Sequence, residues 1–97
     1  MTDQQHAFSA ILARTLELDG KPAVEVQLAA PVAQDNGDHW SCAYRILGLG
    51  QPVKRLAMGI DAIQVLTLAL CMIRADLDAS AETKAGRLSW LEQKRGF

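Results

Sequence analysis

Gly59-Ile60-Asp61-Ala62-Ile63-Gln64-Val65-Leu66-Thr67-Leu68-Ala69-Leu70 is the stretch on which the fold turns. Asp61 is an N-cap residue by type, and Gln64 stands three positions later, the spacing of a capping box. Ile60 before the cap and Val65 after it are placed to form a hydrophobic staple. No Gly or Pro interrupts the chain from Ala62 to Asp78, and Ala and Leu dominate it, so a helix over 62–78 is expected. Ile63, Leu66, Leu70, Ile73 and Leu77 recur at helical spacing and form the expected core stripe, with Ala69 beside it. On that basis Leu70→Ala is expected to cost roughly 2–5 kcal/mol. Val65, Leu68 and Met72 lie on a second flank. A helix this apolar is buried on more than one side.

Upstream, the hydrophobic period changes from helical to two. Leu12, Leu16 and Leu18 share one phase, and Val24, Val26 and Leu28 share another run of the same parity. Trp40, Cys42, Tyr44 and Ile46 follow, then Leu56, Met58 and Ile60. Period two marks strands with one buried face. Inward residues of even number on neighbouring antiparallel strands require loops of odd length, because a slip of one residue turns a strand over. Asp19, Gly20 and Lys21 supply a three-residue loop, and Gly48 to Pro52 a second odd one. Pro31 to His39, with Asp35, Asn36, Gly37 and Asp38, reads as a mobile loop. The expected fold is α+β: a four-stranded antiparallel meander with one main helix on one face (ββββα), plus a C-terminal segment of open conformation.

Ninety-seven residues make a single domain, 1–97. Residues 1–7 read as a loose tail, and 79–97 as a connector and packing segment. Leu88, Trp90, Leu91 and Phe97 are the apolar residues of that segment. Either it covers the second flank of the helix or a second copy of the chain does. The outer sheet face would carry the small residues Ala13, Ala23, Ser41, Ala43 and Ala57, together with Glu17, Glu25, Gln27, Arg45 and Arg55.

A formal net charge of −1 gives no field to attract nucleic acid or anionic lipid. Met1 to His6 lacks the basic and apolar regions of a signal peptide, and the longest apolar run, Ile63 to Ile73, is broken by Gln64 and Thr67. A cytoplasmic protein that neither enters a membrane nor binds nucleic acid is the expectation. Cys42 and Cys71 lack the spacing of a disulfide scaffold and read as free thiols.

Trp40-Ser41-Cys42-Ala43-Tyr44-Arg45-Ile46-Leu47-Gly48-Leu49-Gly50, with Gly59 to Gln64 and Leu66 to Leu70, resembles a family of short bacterial proteins catalogued only as a domain of unknown function. The resemblance runs from the first strand to Trp90 and Phe97. It implies a compact bacterial domain and carries no catalytic or binding residues with it.

Chemistry-bearing residues each have a plainer reading. Cys42 has His39 three residues before it, but residues three apart on a strand face opposite sides, and a core thiol is inert. Asp35, Asp38, His39 and Cys42 could be drawn as a metal site, yet no bidentate acid follows at calcium-loop spacing, and two histidines without paired cysteines do not make structural zinc. Gly48 and Gly50 with Lys54 and Arg55 fail as a phosphate loop, because the turn leads into a strand and not a helix. Lys84, Arg87, Lys94 and Arg95 around Trp90 are diluted by Glu82 and Glu92. Arg45 and Arg55 are expected opposite each other on the outer face, with Glu25 or Glu17 compensating in preference to an anion or acidic partner.

No catalytic, cofactor-binding or metal-ligating residue is therefore assigned, and no cofactor is expected. The preferred expectation is a non-enzymatic interaction module, self-associating as a homodimer or binding a protein partner. Its surface would draw on Val65, Leu68, Met72, Arg45, Arg55 and Trp90. The alternative is a small-ligand-binding protein or enzyme with a pocket between the 31–39 loop, the C-terminal segment and the sheet.

Overall fold

A computed structural model describes residues 8–90 and the backbone of residues 93–94. The loose tail expected over 1–7, and the packing roles expected of Leu91 and Phe97, lie outside the described residues. Strands β1 (Ala10–Leu18), β2 (Lys21–Ala29), β4 (His39–Leu47) and β5 (Val53–Gly59) form the meander, all antiparallel. Three shorter strands join them: β3 (Val32–Gln34), β6 (Leu88–Trp90) and β7 (Gln93–Lys94). Helix α1 spans Ala62–Ala79 and a single turn, α2, spans Ala81–Lys84. The fold is thus α+β with one main helix, as expected, but on a larger sheet than four strands.

The segment expected as a loop over 31–39 is mostly ordered pairing. β3 runs on past the point where β2 leaves β4, pairing Val32 with Ser41 and Gln34 with His39. A 3-10 turn at Asp35–Gly37 closes this hairpin, with Asp35 and Asn36 both at positive φ. Asn and Asp tolerate that region better than other non-glycine residues.

The β1–β2 hairpin meets the parity requirement by another route. Leu18 pairs with Lys21, so the turn is the two residues Asp19 and Gly20, at φ 55° and 82°. Asp-Gly with both φ positive is the type I′ turn, whose twist suits a hairpin. A two-residue turn alone would leave the strands out of phase. One extra residue, Ala23, bulges from β2 between the pairs Leu16–Val24 and Glu17–Pro22 and restores it. Leu16, Val24 and Val26 are fully buried as a result.

Gly48 sits against that bulge. It has φ +96°, and a Cβ there would stand 2.1 Å from the Ala23 carbonyl oxygen. Both the dihedral and the contact require glycine.

β5 takes the opposite phase from the one expected. Ile46 pairs with Val53 and Cys42 with Ala57, so the odd-numbered residues face the helix and the connecting loop is even. Ala57 is buried, whereas Leu56 is 55% exposed, Met58 46% and Ile60 69%. Arg45 lies opposite Lys54, not Arg55, and Arg55 lies beside Tyr44 on the helix side. The physical reason is room. α1 lies directly over β4 and β5, and there Ala57 and Gly59 fit where Leu56 and Met58 would not.

The stripe of α1 is rotated to match. Val65, Ala69, Ile73 and Leu77 are its buried residues, an i, i+4 row. Ile63 is 80% exposed and Leu70 41%. Val65, expected on the second flank, is core, because the bulky alternative cannot approach β5 as closely as the row containing Ala69. The capping box forms in modified shape. Asp61 accepts from the Gln64 N–H at 2.7 Å, and Gln64 Oε1 accepts from the N–H of Ile60 at 2.7 Å. The staple between Ile60 and Val65 is absent, since Ile60 points to solvent.

The described part of the C-terminal segment lies at the far edge of the sheet, on β1, and not along a flank of α1. β6 pairs with Glu17 and Leu18 on the outer edge of β1, and Leu88 is buried. Two ties hold it. Arg87 grips both carboxylate oxygens of Asp19 at 2.9–3.2 Å, and Glu82 accepts the Gly50 N–H at 2.9 Å. Both carboxylates are held below their usual pKa, Asp19 by Arg87 and Glu82 by the backbone N–H of Gly50.

Gly48→Ala is expected to cost about 2–4 kcal/mol, from backbone strain plus a clash with backbone that cannot move aside. Chemical denaturation gives the number, and an unchanged midpoint would mean that the bulge relaxes freely. In the same assay Ile73→Ala should cost roughly 2–5 kcal/mol. Leu70→Ala, contrary to the expectation from periodicity, should cost less than about 1.5 kcal/mol because the side chain keeps much of its exposure.

Candidate functional site

Polar chemistry on the helix side of the sheet concentrates at Tyr44, Arg55 and Asp76. β4 and β5 place Tyr44 and Arg55 side by side, and the fourth turn of α1 brings Asp76 down between them. The Tyr44 hydroxyl donates to Asp76 Oδ2. Arg55 Nε donates to the same oxygen at 2.8 Å. The Asp76 side chain is only 15% exposed, and the tyrosine is buried. Burial first, then the Asp76 carboxylate, pushes the Tyr44 phenol well above its ordinary value. A largely buried carboxyl group with two converging donors has its polar needs met, and it fastens α1 to two strands at once.

Beside it lies a cleft of roughly 220 Å³ lined by Leu49, Gln51, Val53, Asp76, Ala79 and Glu82, among others. That is small against the about 300–1,000 Å³ of typical ligand sites. Among the described residues, no Cys, Ser or His nucleophile stands next to the carboxylate apart from Ser80, whose hydroxyl is engaged with Leu77 and Thr83. Among the described residues, the elements expected to frame a pocket between the 31–39 loop, the C-terminal segment and the sheet lie apart, β3 on β4 and β6 on β1.

Other residues singled out from the sequence are likewise committed. Cys42 is buried, donates to the Ala29 carbonyl at 3.4 Å, and has its thiol pKa raised by burial. His39 projects from the opposite face and approaches Asp35 at 3.6 Å. Arg45 Nε donates to Gln27 at 2.6 Å, Gln27 donates to Glu25 at 2.7 Å, and the Phe8 ring covers the guanidinium at 4.4 Å. The compensation expected from Glu25 thus reaches Arg45 through Gln27. Among the described residues no three of His, Cys, Asp or Glu cluster as metal ligands would. No described helix is long and apolar enough to cross a membrane. The side chain of Trp90 lies outside the described residues.

What remains open is apolar. On the β5 side of the molecule, Leu56 and Met58 project from the outer sheet face, and Leu68 projects from α1 with Met72 half-buried beside it. On the opposite side, Leu12 and Leu70 flank a shallow groove floored by Val26 and Leu28. Leu68 is exposed, whereas Met72 is half-buried against the core cluster. Leu56, Met58 and Leu12 were missed, because each carries the signature of a core position in its own strand.

Tyr44→Phe should lower stability by about 1–3 kcal/mol, the range for a hydrogen bond to a charged group. The chain has one tyrosine, so phenolate absorbance reports Tyr44 alone. Its folded-state pKa is raised, so this stabilisation is whole below the unfolded value of about 10 and is lost as pH rises through the folded value. The phenolate signal should appear only well above pH 10, or together with unfolding. A normal titration in the folded protein would dissolve the bond to Asp76.

No curated protein and no solved structure matches the chain. A family model does, over residues 12–97, which takes in all but the first two residues of β1, the other described strands, both helices and the Tyr44–Asp76–Arg55 cluster. The chain belongs to that family, described as a domain of unknown function, DUF6968.

Proposed function

We propose that this domain is a non-enzymatic protein-interaction module and that it associates with its own copies. The observation that carries the reading is the grouping of exposed apolar side chains on the β5 side, Leu56 and Met58 on the sheet and Leu68 on the helix. Scattered exposed apolar residues are ordinary on a monomer, but apolar groups on both sides of an edge strand mark a contact surface.

The polar groups favour the same reading. Arg45, Arg55, Asp76 and Arg87 each spend their hydrogen bonds inside the fold, and the cleft beside Asp76 is small. A binding protein for a charged metabolite would hold such groups toward an open pocket.

Sedimentation velocity across a range of concentrations tests the proposal. The weight-average mass should rise with concentration toward twice that of the chain. A strictly monomeric protein at every concentration would remove self-association.

A further inference from the structure

We infer that two copies join edge to edge through β5, forming one continuous antiparallel sheet with the two α1 helices packed side by side on it. This rests on the self-association proposed above and assigns it a surface and a symmetry.

β5 is a sheet edge: among the described residues it pairs with β4 only. Every second residue of Val53–Gly59 therefore turns its N–H and C=O outward without a strand partner. The side of α1 above this edge is fixed by contacts. Asp76 reaches Arg55, and Ala79 shares a cleft with Val53. Leu70, on the opposite side, faces Leu12. The same side as Ala79 carries Leu68, Met72, Ala75 and Ala79, spaced four, three and four residues apart. That is the spacing of a helix–helix seam. No residue in it is charged; Leu68, Ala75 and Ala79 are exposed and Met72 is half-buried.

Geometry joins the two features. Neighbouring strands lie about 4.8 Å apart. A two-fold axis standing between β5 and its copy would be half a spacing from β5. α1 lies over β4 and β5, so its axis is roughly one full spacing from the two-fold. The two helices would then be about 9–10 Å apart, inside the 8–10 Å range at which helices pack. On these spacings both contacts form together without displacing the strand or the helix. A two-fold across β5 also runs the helices antiparallel and makes the contact self-complementary and closed.

The side chains of β5 agree. Pairing centred on Leu56 keeps the helix-bearing faces of both sheets on one side, since partners then share parity. Leu56 meets the partner's Leu56 on the outer face. Lys54 falls opposite Met58, and Arg55 opposite Ala57, so no two like charges are directly opposed. Ala75 and Ala79 allow the helices to close, while Leu68 and Met72 fill the middle. Occupancy by a second copy fits better than an unrelated acidic or basic partner because the seam carries no charge to select one.

The test uses the full chain with Cys71→Ser and Met72→Cys. With helix axes about 9–10 Å apart and Cα atoms about 2.3 Å from each axis, facing Cα atoms come within about 5 Å, the reach of a disulfide. Mild oxidation should give a covalent dimer that reductant reverses, and Ile63→Cys, on the other flank of α1, should not. Independently, Leu68→Glu should weaken the dimer about 100-fold, because each dimer then buries two carboxylates in its centre. The helical circular dichroism should stay unchanged, since Leu68 is exposed. Association that persists in Leu68→Glu, with no cross-link at Met72→Cys, would overturn the β5 arrangement and leave self-association standing. A wild-type chain that never associates would overturn both. Should Leu68→Glu fail to fold, the cross-link alone decides.

Discussion

Closeness between α1 and the strands beneath it governs the rest of the structure. Cys42, Ala57 and Ala69 all belong to the buried cluster where the helix meets β4 and β5. None has a side chain that would hold the two layers apart. With the helix set down there, Val65, Ile73 and Leu77 reach the sheet on either side, and Asp76 comes near enough to take the hydroxyl of Tyr44 and the guanidinium of Arg55. Larger groups are displaced outward by the same closeness. Leu56 and Met58 go to the outer face, and Leu70 and Ile63 go round the helix. The exposed apolar surface is thus a product of the packing and not an addition to it.

This explains which parts of the fold could be read from the residues. β1, β2 and β4 each carry a clean alternation, and Leu16, Val24, Val26, Cys42, Tyr44 and Ile46 are buried as the pattern requires. The helix limits were legible because Asp61 and Gln64 cap one end and no breaker lies within. β5 was not legible from hydrophobicity. Its inward positions hold Val53, Arg55, Ala57 and Gly59, and size decided between the two phases where apolarity pointed the other way. The helix stripe failed for a related reason: apolar residues surround α1, so several stripes fit its period equally well, and only the sheet beneath selects one. The Tyr44–Asp76–Arg55 cluster joins positions 21 and 32 residues apart, and nothing local announces it. A lone acid at the margin of an apolar helix was its only trace.

The hairpin shows a different kind of legibility. Parity showed that β1 and β2 needed an odd number of residues between matched positions, and that requirement is met. A two-residue turn with a bulge meets it, not a three-residue loop. Turn chemistry chose the form, because Asp-Gly is at ease with two positive φ values. The bulge at Ala23 then dictated glycine at position 48, far away in the chain. A local choice in one hairpin thereby fixed a residue in the next connection.

Arg87 and Asp19 stand 68 residues apart, yet they meet where β6 joins β1, through both side chains and a backbone hydrogen bond. A ribosome releases Asp19 long before Arg87, and a chain that emerges from its N-terminal end must wait for this closure. Until then Leu16, Leu18 and the margin of β1 at Glu17 have no lid, and only Lys21 and Glu17 nearby discourage neighbouring nascent chains from joining there. The guanidinium clasp is accordingly a late step in maturation, and a lesion in it would show first as insoluble product in rapid expression, before any loss of heat resistance in the purified protein.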